Sequence, residues 1–319
     1  MAIRLRAAIL DDYQNVALRL ADWSALADVE IKVFTEPFAG PRAAIEALQD
    51  FEIVVGMRER TPFPRATIAA LPKLKLLITT GGKNNSFDLK AAAEHGVTVC
   101  GTGTTGAPTV GVAFGLMLEL TRRIGFENQR MKAGKPWQVT VGRDLEGLTL
   151  GIVGFGKLGR RVASVAQAFG MTVIAWSQNL NAEDAGKAGV GYATKDTLFS
   201  EADIVTIHYA LSERSRGIVG AADLGRMKRD AYLVNTARGP LVDEAALLSV
   251  LQKKQIAGAG LDVFGTEPLP VDHPLRKLDN VVLTPHLGYV SEQNYRVYFR
   301  DIVEDIRAFI DGKPVRVIS

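Results

Sequence analysis

The chain has 319 residues, 47% hydrophobic and 23% charged, an ordinary balance for a globular enzyme and long enough for two domains. A net charge of +3 is small for this length, and the basic residues are scattered without a run, which disfavours nucleic acid and membrane as partners. A single cysteine, Cys100, excludes an intrachain disulfide, and the start Met1-Ala-Ile-Arg-Leu-Arg has no signal-peptide core, so a cytoplasmic location is expected.

Strands alternate with helices from the start. Residues 3–10 read as a strand, 17–23 as a helical pattern, 29–34 as a strand, 42–48 as a helix and 51–56 as a strand. Pro62 and Pro64 break the chain before a short helix at 65–70. A strand at 74–79, a turn at Gly81-Gly82, a helix at 89–95 and a strand at 97–99 follow. This spacing predicts a parallel sheet with right-handed crossovers. After a glycine-rich loop at 101–108, residues 110–131 read as one long helix ended by Gly134-Lys-Pro136.

Residues 149–159 read Thr-Leu-Gly-Ile-Val-Gly-Phe-Gly-Lys-Leu-Gly, an apolar strand running into Gly154-x-Gly156-x-x-Gly159 and then an amphipathic helix. Strand, glycine turn and helix start in that order form the dinucleotide fingerprint, with Gly154, Phe155, Gly156, Lys157, Leu158 and Gly159 around the pyrophosphate. Beyond it come a strand at 171–176, a helix at 182–188, strands at 204–208 and 231–235, a helix at 244–251 and strands at 257–261 and 281–283. A last amphipathic helix spans 291–310, ahead of a tail at 314–318. The expected fold is α/β, with two Rossmann-like or flavodoxin-like parallel-sheet domains and a cleft between them. Residues 1–101 plus 290–319 form the expected substrate domain, and 102–289 the NAD(P)-binding domain.

Three further motifs end predicted strands, where open α/β sheets bind ligands. They are Asn235-Thr-Ala-Arg238-Gly239, Leu261-Asp262-Val-Phe-Gly-Thr-Glu267-Pro268 and Thr284-Pro-His286-Leu-Gly288. Reduction of a 2-keto acid needs a cation for the carboxylate, a proton donor for the forming alkoxide and a carboxylate to orient that donor. Arg238, His286 and Glu267 supply those three parts. No His, Cys and acid cluster has metal-ligand spacing, so no metal is expected.

These motifs together resemble the D-isomer-specific 2-hydroxyacid dehydrogenase family, in a short form, across essentially the whole chain. The family includes phosphoglycerate dehydrogenases and glyoxylate/hydroxypyruvate reductases. The resemblance implies hydride transfer between NAD(P) and a small 2-keto or D-2-hydroxy acid, with Arg238 binding the substrate, His286 as acid/base and Glu267 as its partner. It implies Asp262 and the Thr236–Ala237 backbone near the nicotinamide carboxamide, and Thr109, Ser177, His208 and Gly288 near the cofactor. It also implies a homodimer through the nucleotide domain, with no regulatory domain after Ser319. Met57-Arg58-Glu-Arg60 and Thr80-Gly81-Gly82-Lys83 resemble the family's substrate loops, with Arg58, Gly81, Gly82 and Lys83 facing the anionic substrate and the three loop amides forming an anion nest.

The departures concern the cofactor first. NAD-preferring relatives place an acid about twenty residues past the glycines, where this chain has Ser177-Gln178-Asn179. No arginine takes the acid's place, so NAD is slightly favoured and NADP stays open. Phosphite or another small anion is an alternative substrate on the same scaffold. An NAD(H)-sensing interaction protein, like the family's corepressors, is an alternative from another class. A formate dehydrogenase is disfavoured, because such relatives carry Gln where Glu267 stands.

Overall fold

A computed structural model describes residues 4–318, and the chain forms two compact units, Met1–Thr105 with Val290–Ser319, and Gly106–Tyr289. In the first unit, apolar runs with buried β-branched residues make five parallel strands: β1 Leu5–Ile9, β2 Val29–Val33, β3 Ile53–Gly56, β4 Leu76–Thr79 and β5 Thr98–Gly101. The strand expected at 3–10 thus begins at Leu5, and Ile3 lies outside the described residues. Helices α1 Pro41–Leu48, α2 Arg65–Ala69 and α3 Leu89–Glu94 connect strands, α1 opening with Pro41 and α3 capped by the Asp88 side chain on the Ala91 amide. The sheet order β2-β1-β3-β4-β5 is the flavodoxin-like winding.

Two expectations for this unit change. The helical pattern at 17–23 is a single 3-10 turn, Ala17–Arg19, and a second, Ser24–Leu26, follows it. The Asp12 carboxylate accepts from the Val16 and Ala17 amides, 2.8 Å each, and fixes a turn where a longer helix would need those residues in register. Residues 102–105 also group with this unit and not with the second. The Gly103 amide donates to Asp301 Oδ2 at 2.8 Å and the Thr105 amide to Asn294 Oδ1 at 3.0 Å, both on the C-terminal helix Glu292–Ile310.

The second unit opens with α4 Ala107–Arg122 and α5 Ile124–Lys132, where one helix was expected. Arg123 breaks it, at φ 52°, because the Glu119 carboxylate takes the Gly125 amide at 2.7 Å out of the helical ladder. Then come β6 Thr149–Val153, α6 Lys157–Ala168, β7 Thr172–Trp176, α7 Ala182–Lys187, β8 Gly191–Tyr192, α8 Lys195–Glu201 and β9 Ile204–Ile207. The chain continues through α9 Ala221–Leu224, β10 Tyr232–Asn235, α10 Glu244–Gln252, β11 Gly258–Leu261 and β12 Val281–Leu283. The parallel sheet runs β12-β11-β10-β9-β6-β7-β8, so the winding direction reverses between β6 and β9. Open α/β sheets bind ligands at such a reversal, beyond the carboxyl ends of the two strands.

The core of this unit has two halves, one on each sheet face. Leu116, Met117, Val162 and Ala166 from α4 and α6 cover one face, and Leu198, Phe199, Leu247 and Leu251 from α8 and α10 cover the other. Both faces exclude water, which fixes the strand ends that carry the polar motifs.

Candidate active site

Gly154 follows β6 directly at φ 99°, a conformation that favours glycine, and a side chain there would strike the His208 carbonyl carbon at 2.7 Å. A Cβ on Gly159 would lie 2.3 Å from the Gly154 carbonyl oxygen, so this residue sets how closely α6 approaches β6. Gly156 differs from both: a Cβ there meets no atom within 4 Å, and as N-cap it bonds none of the first amides of α6. Those amides and the positive end of the helix dipole suit a pyrophosphate. Lys157 and Leu158 form the first turn of that helix.

Two buried polar atoms at neighbouring strand ends have no hydrogen-bond partner, His208 Nδ1 after β9 and Thr236 Oγ1 after β10. Unsatisfied buried polar atoms are costly, so their clustering beside the glycine turn fits a ligand that supplies polar partners. Burial pushes the His208 imidazole down to about 4, so it is neutral at physiological pH, and its Nε2 pairs with Thr206 Oγ1 at 2.9 Å. Past β7, Ser177, Gln178 and Asn179 bring no formal charge to the position where a ribose carboxylate partner would stand.

The three residues expected to act together are gathered at the ends of β10, β11 and β12. Glu267 Oε2 accepts from His286 Nδ1 at 2.6 Å, and its other oxygen accepts from the Phe264 amide at 2.9 Å. Burial opposes ionisation of Glu267, but the His286 hydrogen bond and charge, the Phe264 amide and the nearby Arg238 guanidinium together hold its carboxyl below the ordinary range. An ionised carboxylate accepts only, so Nδ1 carries the hydrogen and Nε2 of the neutral ring is the acceptor. His286 sits at φ 54°, and the Tyr289 ring meets its imidazole edge-on, centroids 5.4 Å apart.

Asp262 secures the turn that presents His286. Its Oδ1 accepts from Thr284 Oγ1 at 2.5 Å and from the Leu287 amide at 2.7 Å, and its Oδ2 from the Gly288 amide at 2.8 Å. Burial raises the Asp262 carboxyl above its usual range despite these donors. Thr109, in the first turn of α4, donates its hydroxyl to the Gly288 carbonyl. Arg238 Nη1 donates to the Ala237 carbonyl at 2.8 Å.

Asn235 does more than the sequence suggested. Its Oδ1 accepts from the Ala237 amide and its Nδ2 donates to the Arg238 carbonyl, both at 3.0 Å, so one side chain holds the turn bearing Arg238. An Asn directly after an apolar strand run is the sign that could have found it. Thr284 likewise acts structurally, its hydroxyl donating to Asp262 Oδ1.

In the first unit, Arg58, Gly81, Gly82 and Lys83 lie at the carboxyl ends of β3 and β4. Here one expectation fails. The Gly81 amide donates to Thr102 Oγ1 at 2.7 Å and so is spent inside the fold, and Arg58 packs so closely on Gly81 that a Cβ would fall 1.9 Å from Nη1. Arg58, at φ 54°, also donates from Nη1 to the Thr80 carbonyl at 2.9 Å. Gly82 and Lys83 are exposed.

Among the described residues no group of three His, Cys, Asp or Glu is placed to hold a metal ion, and no helix is long and apolar enough to cross a membrane.

Comparison with known proteins follows the same lines. The D-isomer specific 2-hydroxyacid dehydrogenase, NAD binding domain family matches residues 114–288, more than half of the chain. A glyoxylate reductase of Korarchaeum cryptofilum is 36% identical over 280 residues, 85% of this chain and 83% of the relative. A hydroxypyruvate reductase of Thermotoga maritima is 38% identical over 259 residues, covering 79% and 83%. The crystal structure of a phosphoglycerate oxidoreductase from Vibrio cholerae superimposes with a TM-score of 0.92 at 36% identity, covering 97% of this chain and 99% of that one. The chain therefore belongs to the D-isomer-specific 2-hydroxyacid dehydrogenase family, NAD(P)-dependent oxidoreductases that act on small 2-keto and 2-hydroxy acids.

Proposed function

We propose that this enzyme reduces a small 2-keto acid, such as glyoxylate or hydroxypyruvate, to the D-2-hydroxy acid through the His286–Glu267 dyad. The observation that carries the reading is the 2.6 Å bond between those two side chains, with Arg238 close enough to lower the Glu267 carboxyl further. The bound nicotinamide supplies the hydride in reduction and takes it in oxidation. Protonated His286 gives the proton on Nε2 to the carbonyl oxygen as the C=O double bond opens and charge gathers there. Ionised Glu267 holds the resulting neutral ring by its Nδ1–H and keeps Nε2 aimed for the next proton. Arg238 pairs with the substrate carboxylate, for which a planar guanidinium is suited.

Arg58, Gly82 and Lys83 are assigned to substrate binding in the first unit, the Gly82 and Lys83 amides replacing the three-amide nest. The fingerprint, Thr109, Ser177, His208, Thr236, Ala237, Asp262 and Gly288 are assigned to the dinucleotide. With no acid past β7, NADH is only slightly preferred to NADPH.

The reading extends to a homodimer built on α5 and the segment after it. Ile124, Met131, Trp137, Val139 and Val141 there are all exposed, Trp137 at 72% and Val141 fully. Large apolar side chains left exposed along one segment suit an interaction face.

The test is optical: oxidation of NADH and NADPH against glyoxylate, hydroxypyruvate, phosphohydroxypyruvate and pyruvate. Turnover with at least one acid is expected. No turnover with any of them, with either cofactor still bound, would overturn the reading.

A further inference from the structure

Glu267 belongs to a loop, residues 264–270, that the fold grips from both sides. On the near side, Gly239, next to Arg238, approaches so closely that a Cβ would lie 2.0 Å from the Phe264 carbonyl carbon. Glu244 Oε2, at the start of α10, accepts from the Gly265 amide at 3.3 Å. The other Glu244 oxygen lies 3.2 Å from His273 Nε2, while His273 Nδ1 accepts from the Leu275 amide at 3.3 Å. That amide fixes the tautomer: Nδ1 is the acceptor, so Nε2 carries the hydrogen and donates to Glu244. On the far side, the Arg276 guanidinium donates from Nη2 to the Leu269 carbonyl at 2.7 Å and from Nε to the Pro270 carbonyl at 2.8 Å.

Glu267 is therefore bracketed two residues before by Glu244 and two and three residues after by Arg276. Both outer residues use charge-assisted bonds to backbone, stronger than neutral ones. Neither bracket touches His286. We infer that Glu244, oriented by His273, and Arg276 are positioning residues for the acid/base dyad: they hold the loop at the height where Glu267 meets His286 Nδ1. The inference rests on the dyad reading above. The chemical reason for the device is that proton transfer tolerates little misplacement, whereas a surface loop of this length would otherwise move freely.

The test compares Glu244→Ala, Glu244→Gln, Arg276→Ala and Arg276→Lys with the parent enzyme. Glu244→Gln keeps one acceptor oxygen for the Gly265 amide but puts an NH2 donor where the other Glu244 oxygen faced His273 Nε2. For keto-acid reduction, kcat should fall about tenfold to a hundredfold in Glu244→Ala and Arg276→Ala, the scale of a misplaced catalytic group. KM for the keto acid and calorimetric Kd for NADH should stay within about twofold. Glu244→Gln and Arg276→Lys should recover part of the loss.

The isotope effect with NADH deuterated at the transferred position should rise in the alanine variants, because chemistry then limits turnover. A role in stability alone would lower the melting temperature and leave kcat and the isotope effect at parent values, and that result overturns the inference. His286→Ala, assayed alongside, separates the two claims. If it retains parent turnover, the dyad reading has failed; if it is dead while both alanine variants keep parent kcat, only the positioning role has failed.

Discussion

His286 Nδ1 and Glu267 Oε2 lie 2.6 Å apart across 19 residues of sequence, and each is held at its own strand end. The Phe264 amide fixes the other Glu267 oxygen, and Asp262 fixes the turn on which His286 takes its φ of 54°. Two strand-end loops thus present one hydrogen-bonded imidazole–carboxylate pair. Removing the imidazole by His286→Ala should lower kcat for reduction by about 10²–10⁴-fold, the usual worth of a positioned general acid. Glu267→Gln should cost less, since the amide keeps a hydrogen bond but loses the charge. Steady-state kinetics with calorimetric NADH binding as control checks both.

The pH dependence has a definite sign. On the proposed mechanism reduction would consume the proton on His286 and oxidation would return it, so the reduction rate should fall and the oxidation rate rise as pH increases. The depressed Glu267 carboxyl stays ionised through neutral and mildly acid pH and is lost only below the ordinary carboxylate value of about 4.3. An acid limb in that low region should therefore appear in parent enzyme and vanish in Glu267→Gln. Profiles that are flat in both directions while chemistry limits the rate would contradict the assignment.

Gly156 and Gly159 should respond oppositely to alanine. Gly156→Ala meets no atom within 4 Å, so the melting temperature should hold, while the methyl would stand in the space proposed for the pyrophosphate. NADH affinity should drop by about tenfold or more, equivalent to ~1.4 kcal/mol. Gly159→Ala places a methyl 2.3 Å from the Gly154 carbonyl and should destabilise the fold itself, by about 1–3 kcal/mol. Calorimetry and thermal melts on both variants distinguish them. Equal melting temperatures for the two would refute the packing argument.

Much of this was legible because the informative residues announce themselves by type and place. A glycine triplet after an apolar run and a polar motif at each strand end are local signals, and the fold set them at the ends of β6, β10, β11 and β12. What escaped depended on side chains reaching into the backbone. Glu119 taking the Gly125 amide broke a helix whose apolar pattern runs on through Ile124, and Asp12 closed a turn where a helix was expected. Thr102 captured the Gly81 amide from 21 residues away, a pairing no spacing rule encodes. The strand β8 is only Gly191–Tyr192, too short for a period to show. Glu244, His273 and Arg276 belong to no motif, because their partners are mainly backbone groups of a loop.

Cofactor choice should be movable from a single position. Ser177 lies just past β7, where a carboxylate would bond ribose hydroxyls and repel a 2′-phosphate. Ser177→Asp should tighten NADH relative to NADPH by about tenfold or more, ~1.4 kcal/mol of new discrimination. Calorimetric Kd values for both dinucleotides measure it directly. An unchanged ratio would mean that the ribose lies elsewhere.

The last prediction concerns stability in the first unit. Asp305 on the C-terminal helix is fully buried, pairs with Arg316 Nε at 2.9 Å, and has a second oxygen without a hydrogen-bond partner. Burial pushes its carboxyl up to about 7, against the pull of Arg316 and with the repulsion of Asp301 and Glu304. An acid whose folded pKa is raised contributes stability that is fully present below its unfolded value and is lost as pH rises through the folded one. The window here runs from about 4 to about 7. Asp305→Asn keeps an acceptor for Arg316 Nε and has no charge to desolvate. It should therefore gain on the parent as pH rises across that window, by an amount on the order of 2–4 kcal/mol, and gain no more above it. Denaturant melts of both proteins at pH 4.5, 6 and 8 measure the difference. A constant offset at the three values would show that the Asp305 carboxyl titrates alike in folded and unfolded chains.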